Sequence, residues 1–207
     1  MTRFIAVLAA CTIAIVLGVT YFLTKGRGGD LASCGASSVA GGADQIGGPF
    51  TLVDETGTEV TSAALLTKPS LIYFGYTFCP DVCPLDAARN AEAVDMLAER
   101  GIEVQPIFIT IDPKRDTPEV LAEYTDFLHP KMIGLTGSEA QVKAASQAYR
   151  TYYKAQPAEA GQEDFYLVDH STFTYLTLPE TGFVEFFRRE VSAEDMAEKT
   201  ACFVGQS

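Results

Sequence analysis

Thr77-Phe78-Cys79-Pro80-Asp81-Val82-Cys83-Pro84 lies between an apolar run, Leu71-Ile72-Tyr73-Phe74, and a stretch of helical periodicity from Leu85 to Arg100. Together the three place two thiols where a buried strand turns into a helix. Unpaired N–H groups and the positive end of the helix dipole favour anions at such a place. One or both cysteines are therefore expected to have a lowered pKa. A spacing of four puts both sulfurs on one side of a first turn. Pro84 suits the first helical position, which makes Cys83 the expected cap.

Such a pair can cycle between dithiol and disulfide, or hold a soft metal ion between its sulfurs. A structural disulfide, or two inert buried thiols, is the plain alternative. The spacing is one residue wider than the Cys-x-x-Cys of thioredoxin-like redox motifs, which suits a metal at least as well as a rapid redox shuttle.

Away from this turn the chain is acidic. Its 207 residues include 15 Lys and Arg against 27 Asp and Glu, a net charge of −12. Arg3, Lys25 and Arg27 precede Gly28 with no acidic residue among them, so the remainder carries 12 basic against 27 acidic residues, or −15. A surface of that sign repels phosphate backbones and disfavours nucleic acid as a partner. It attracts metal cations or a basic docking face. Residues 4–23 form an uncharged, mostly apolar run of the length that spans a bilayer, read as an uncleaved anchor with a cleaved signal as the alternative. Flanking charge leaves its orientation open; the cysteine chemistry favours a domain outside the cytoplasm. Leu31-Ala32-Ser33-Cys34 resembles a lipoprotein cleavage box, but the charged, Gly-rich Lys25 to Asp30 separates it from the apolar run. Residues 24–48, rich in Gly, Ala and Ser, read as a flexible tether, and 49–204 as the domain.

Within the domain, Phe50 to Val53 followed by Asp54-Glu55-Thr56-Gly57 predicts the first half of a hairpin. Ala87, Ala91, Val94 and Leu97 share one face of a helix that Gly101 ends. Val104 to Ile111, apolar and β-branched, predicts a central strand covered on both faces. Thr117 with Pro118 and Ser138 with Gln141 open two further helices. Tyr152 to Glu163 reads as a polar excursion. Asp164 to Asp169, Thr174 to Leu178 and Gly182 to Arg188 read as extended, and Ser192 caps a last helix with Val191 and Met196 as its hydrophobic staple. This order predicts an α/β sandwich of thioredoxin-like type, with the reactive turn at the carboxyl end of a parallel strand.

Two histidines are present, His129 and His170. His129 sits at a helix end before Pro130, where complementing the C-terminal dipole is the expected role. His170 follows Phe165-Tyr166-Leu167-Val168 at a strand end and can point into the site. Of five cysteines, Cys11 falls in the apolar run and Cys79 and Cys83 in the reactive turn, leaving Cys34 and Cys202. A disulfide between these two is one expectation and two independent thiols the other.

Three stretches carry a resemblance. They are Tyr73-Phe74-Gly75-Tyr76-Thr77-x-Cys79-Pro80-Asp81-Val82-Cys83-Pro84, Ile111-Asp112-Pro113-x-Arg115-Asp116-Thr117-Pro118 and Val168-Asp169-His170-Ser171-Thr172-Phe173. With Gly134-Leu135-Thr136-Gly137 and the single N-terminal anchor, they resemble the signature stretches of the Sco/SenC proteins over about residues 47 to 203. The resemblance implies a thioredoxin-like fold, with copper as cofactor and Cys79, Cys83 and His170 as its ligands. It implies a part in building the binuclear copper site of cytochrome c oxidase subunit II, together with other copper chaperones or thiol oxidoreductases. A metal-independent thiol-disulfide oxidoreductase acting on the cysteines of that site is the alternative, and a thioredoxin-superfamily peroxidase a weaker one. The expected location is the bacterial inner membrane, single-pass, with the domain in the periplasm. The chemistry agrees, since two thiolates suit copper(I) and a neutral imidazole accommodates copper(II). A structural zinc site wants four protein ligands, and this set offers three. Asp169 is the expected partner that orients the His170 ring.

Overall fold

The computed structural model describes residues 13, 15, 16, 18, 19, 31–35, 37, 42–158, 160, 161 and 164–206. Seven strands form one mixed sheet. They are β1 (Thr51–Asp54), β2 (Glu59–Thr61), β3 (Ser70–Gly75), β4 (Gln105–Thr110), β5 (Ile133–Thr136), β8 (Thr174–Leu178) and β9 (Gly182–Phe187), in the order β2-β1-β5-β4-β3-β8-β9. β3 runs parallel to β4 and β4 to β5, while β8 and β9 add antiparallel strands beyond β3. Every residue of β3 and of β8 is buried, so the middle of the sheet is covered on both faces. A separate two-stranded ribbon pairs β6 (Tyr153–Ala155) with β7 (Val168–His170). The helices are α1 (Ser62–Leu65), α2 (Val82–Glu99), α3 (Pro118–Leu128), α4 (Glu139–Ala148) and α5 (Ala193–Gly205).

Local chemistry sets most element ends. Thr117 accepts from the Val120 amide with Pro118 beginning α3. Ser138 and Gln141 close a capping box on α4, and Ser192 accepts from the Asp195 amide at α5. Gly101, with φ of 77°, lets the chain leave α2 while its amide and that of Ile102 bond back to Ala98 and Leu97. Two buried clusters fill the interior. One gathers Phe74, Phe108, Leu121, Val142 and Tyr149; the other gathers Leu71, Leu97, Leu176, Met196 and Phe203.

Three expectations need correction or limits. Cys83 is not the cap of α2. That helix begins at Val82, Asp81 occupies the cap position without a side-chain bond, and Cys83 and Pro84 lie inside the first turn. Pro84 is tolerated there because amides of the first turn have no intrahelical partner to lose. The polar excursion after Tyr152 contains β6, whose pairing partner is the strand that carries His170. Nothing in its own pattern signals this, because the partner is distant in sequence. The expected anchor over 4–23 lies outside the described residues except for positions 13, 15, 16, 18 and 19, which are helical. Among the described residues no helix is long and apolar enough to cross a membrane.

The described parts of the expected tether are docked. Cys34 is buried, ends a 3-10 turn (Leu31–Cys34) and forms a disulfide with Cys202 of α5. The Ser37 amide donates to the buried Glu185 carboxylate at 3.1 Å, and Lys199 pairs with the same oxygen at 2.8 Å. Further on, the Gly47 amide donates to the Ala148 carbonyl.

Candidate metal centre

The site begins with the close approach that ends β3. A Cβ at Gly75 would lie 2.8 Å from Tyr73 Cε1 and 3.0 Å from the Phe108 ring, so the chain passes with no side chain into the loop that bears the cysteines. Asp116, fully buried, fastens that loop. It accepts from the Thr77 amide (3.1 Å), the Thr77 hydroxyl (2.6 Å) and the Thr110 hydroxyl (2.6 Å). Burial raises its pKa, and these three donors oppose the rise.

In the loop the Cys79 amide donates to the Tyr76 carbonyl at 3.2 Å. The Cys83 amide donates to Cys79 Sγ at 3.3 Å. A sulfur thus accepts from one of the orphan amides of the first turn of α2, where a side-chain oxygen would ordinarily do so. Of the expectation that one or both thiols have a lowered pKa, the structure bears out the first form, for Cys79 alone. Hydrogen bonding from Cys83, and further from the Asp81 and Cys83 amides, holds the Cys79 thiol well below its usual range against the opposing effect of burial. Cys83 is driven the opposite way, by its bond to the Cys79 sulfur and by burial. In the metal-free pair Cys79 is thus the more acidic sulfur and Cys83 the one that holds its proton more tightly. Two sulfurs this close and this buried do not both ionise without a cation between them.

His170 arrives from β7. Its Nε2 lies 3.3 Å from Cys83 Sγ, and its Nδ1 lies 2.8 Å from the Ser171 carbonyl oxygen. A carbonyl only accepts, so Nδ1 carries the proton and the Nε2 of the neutral ring keeps its lone pair toward the sulfurs. Tyr73 and Tyr76 meet the ring edge-on at 6.3 and 5.9 Å. The expected orienting role of Asp169 is not seen. Its carboxylate is turned outward and accepts from Gln156 Nε2 at 2.8 Å, because adjacent residues of a strand face opposite sides.

The ligand atoms of Cys79, Cys83 and His170 all lie within 4.8 Å of one another. Two sulfurs and one imidazole nitrogen converging in a buried corner fit a soft, thiophilic ion of low coordination number. His129 lies elsewhere. Its ring is buried at the end of α3, with Nε2 3.1 Å from Asp95 and Nδ1 accepting from the Lys131 amide. The surrounding scaffold was less visible in the sequence. Tyr166 and Tyr76 both meet Arg115 beside the site, the three coming from separate segments. The one local signal was the i, i+3 pairing of Asp112 with Arg115.

Comparisons with known proteins agree with this geometry. Residues 38–205 match the SCO1/SenC family. The chain is similar to protein SenC of Rhodobacter capsulatus, with 48% identity over 204 residues that span 98% of this chain and 90% of that protein. It is also similar to the crystal structure of Arabidopsis thaliana ScoI with copper bound, at a TM-score of 0.74 and 40% identity, covering 78% of this chain and 99% of that one. Yeast Sco1 with copper bound gives a TM-score of 0.73 and 42% identity, covering 79% and 90%.

Proposed function

The chain belongs to the SCO1/SenC family, and from that premise we propose that it binds copper as cargo and supports assembly of the binuclear copper site of cytochrome c oxidase. The observation that carries this reading is the convergence of Cys79, Cys83 and His170 within 4.8 Å. Copper supplies the positive charge that lets a second sulfur ionise in the same corner. Cys79 is the sulfur whose pKa is held low, Cys83 would release its proton on binding, and His170 would offer the Nε2 lone pair that the Ser171 carbonyl keeps facing inward. The thiolates suit copper(I), and the imidazole extends the site to copper(II). The acceptor, the copper domain of oxidase subunit II, would take the ion by exchanging its own soft ligands for these. Other copper chaperones stand as the donors.

Further parts of the reading rest on the sequence. The apolar run 4–23 supports a single-pass anchor in the bacterial inner membrane, with the domain in the periplasm. The Cys34–Cys202 disulfide supports an oxidising compartment. Copper per protein after reconstitution, in the native chain and in the Cys79→Ser/Cys83→Ser variant, tests the proposal. One copper in the first and none in the second is expected; equal loading would sink it.

A second reading is favoured by the asymmetry of the pair. A Cys79 thiolate beside a protonated Cys83 is the arrangement of a thiol-disulfide reductant. Cys79 would attack a partner disulfide and expel one partner thiolate, leaving a mixed disulfide. Cys83, losing its proton, would then displace the second partner sulfur. The partner leaves with two reduced thiols, and Cys79–Cys83 carries the disulfide. Bound copper and this disulfide exclude each other, so thiol counting under mild oxidation, with and without copper, separates the two uses.

A further inference from the structure

We infer that Arg115 is a positioning residue that fixes His170 against the two cysteines, acting through aromatic rings drawn from two other loops. The inference rests on the copper reading above only for which atoms need to be aligned.

The need for such a device lies in the topology. Cys79 and Cys83 follow β3, in the middle of the main sheet, but His170 belongs to β7, which pairs only with the three-residue β6. A two-stranded ribbon is marginally stable by itself and fixes no position relative to another sheet. Apart from the three residues that join it to β8, the ribbon depends on side chains to set the distance between imidazole and sulfurs. One link is direct, as the Val168 amide donates to the Tyr76 hydroxyl at 3.2 Å. Tyr73 and Tyr76 also meet the His170 ring edge-on, and a further set of contacts converges on Arg115.

The Arg115 guanidinium carbon lies 3.7 Å from the Tyr166 ring centroid, 4.8 Å from that of Phe78 and 5.7 Å from that of Tyr76. Tyr76 and Phe78 belong to the cysteine loop; Tyr166 lies four residues before His170. Arg115 Nη1 donates to the Asp164 carbonyl at 3.1 Å, and Nε donates to Asp112. The Tyr166 hydroxyl donates to the other Asp112 oxygen at 2.7 Å, so one carboxylate holds both the cation and the ring stacked on it. Among the described residues Arg115 Nη2 is buried with no hydrogen-bond acceptor, and the ring faces are the further partners of the cation there. Phe78 and Phe165 close the outer edge, edge-to-face at 6.0 Å. A lysine would keep the charge, but it has neither the plane to stack between rings nor the fork to reach Asp112 and Asp164 together.

Arg115→Lys tests the inference in full-length protein with two readouts. Hydrogen exchange of the metal-free protein should accelerate about tenfold or more over residues 164–171 and stay unchanged over β3 and β8, as for local rather than global opening. Copper(II) affinity should fall about 10–100-fold, as when a residue supporting a ligand is lost. Copper(I) affinity should change less than about threefold, because two thiolates suffice for that ion. Tyr166→Phe keeps the ring and loses only the bond to Asp112, so it should speed exchange over the same segment to a smaller degree. It decides the matter if Arg115→Lys does not fold. Unchanged exchange over 164–171 overturns the inference, and so does acceleration that is equal in β3 and β8. Equal losses of copper(I) and copper(II) overturn it as well. A native protein that binds no copper defeats the copper reading, while the exchange measurement still decides the clamp.

Discussion

Reduction of the Cys34–Cys202 disulfide should lower the melting temperature of this protein substantially, and the structure sets the scale. The two cysteines are 168 residues apart, so the bridge closes a loop that contains almost the whole domain. The chain-entropy model gives about 5 kcal/mol for a loop of that length, as an upper figure, against about 2–4 kcal/mol commonly measured. The interactions that accompany the bridge in the folded state survive its reduction. The Ser37 amide and Lys199 still meet Glu185, and Cys34 still packs beside α5. The loss should therefore come mainly from freeing the unfolded chain. A change of about 2–4 kcal/mol in a protein of this size corresponds to roughly 4–16 °C. The assay is thermal unfolding by circular dichroism with and without a dithiol reductant. It is made in the Cys79→Ser/Cys83→Ser background, so that the reductant acts on no site thiols. Cys34→Ser/Cys202→Ser added to that background should match the reduced protein. Melting temperatures that agree within about 1 °C across all three samples would refute the reasoning, because the expected shift is several times larger.

Three further outcomes are expected. His170→Ala should retain most of its copper(I) and lose copper(II), read as disappearance of the visible thiolate-to-copper(II) charge-transfer band with an unchanged circular dichroism spectrum. The reduced, metal-free protein should keep the ultraviolet absorbance of one thiolate as pH falls from 8 to 5, and Cys79→Ser should remove it. The sign follows from folding having lowered this pKa. The thiolate's contribution to stability is complete above the unfolded thiol's range, near about 8.5, and is lost as pH falls toward the folded value. Asp116→Asn should destabilise by about 1–3 kcal/mol in urea unfolding, since one amide oxygen cannot serve the Thr77 amide and two threonine hydroxyls.

Much of the fold was legible because its signals are local. The Thr117, Ser138 and Ser192 caps, the Gly101 exit and the apolar run before Cys79 each act within a few residues and behave as their chemistry dictates. The first residue of α2, Val82 rather than Pro84, was not legible. Pro84 is compatible with more than one place in a first turn, and what settles the frame is a sulfur four residues upstream taking the Cys83 amide.

By itself the sequence determined the donor types. Two sulfurs at a strand-to-helix turn and a histidine at a strand end are covalent facts of the chain, and they suffice to name a soft, thiol-bearing site. The tertiary structure alone decided which sulfur is the more acidic, since that depends on which amides reach Cys79 and on how deeply Cys83 is buried. It alone turned Asp169 outward and set the His170 Nδ1–H to donate to the Ser171 carbonyl. It also brought Cys34 to Cys202 and Arg115 to Tyr166, pairs separated by 168 and by 51 positions in the chain. The physical reason is one of range. Hydrogen-bond capping and periodic burial act over one or two turns and leave a pattern in neighbouring residues. Charge placement and cross-chain stacking depend on distances of a few ångströms between segments whose meeting is fixed only when the core packs.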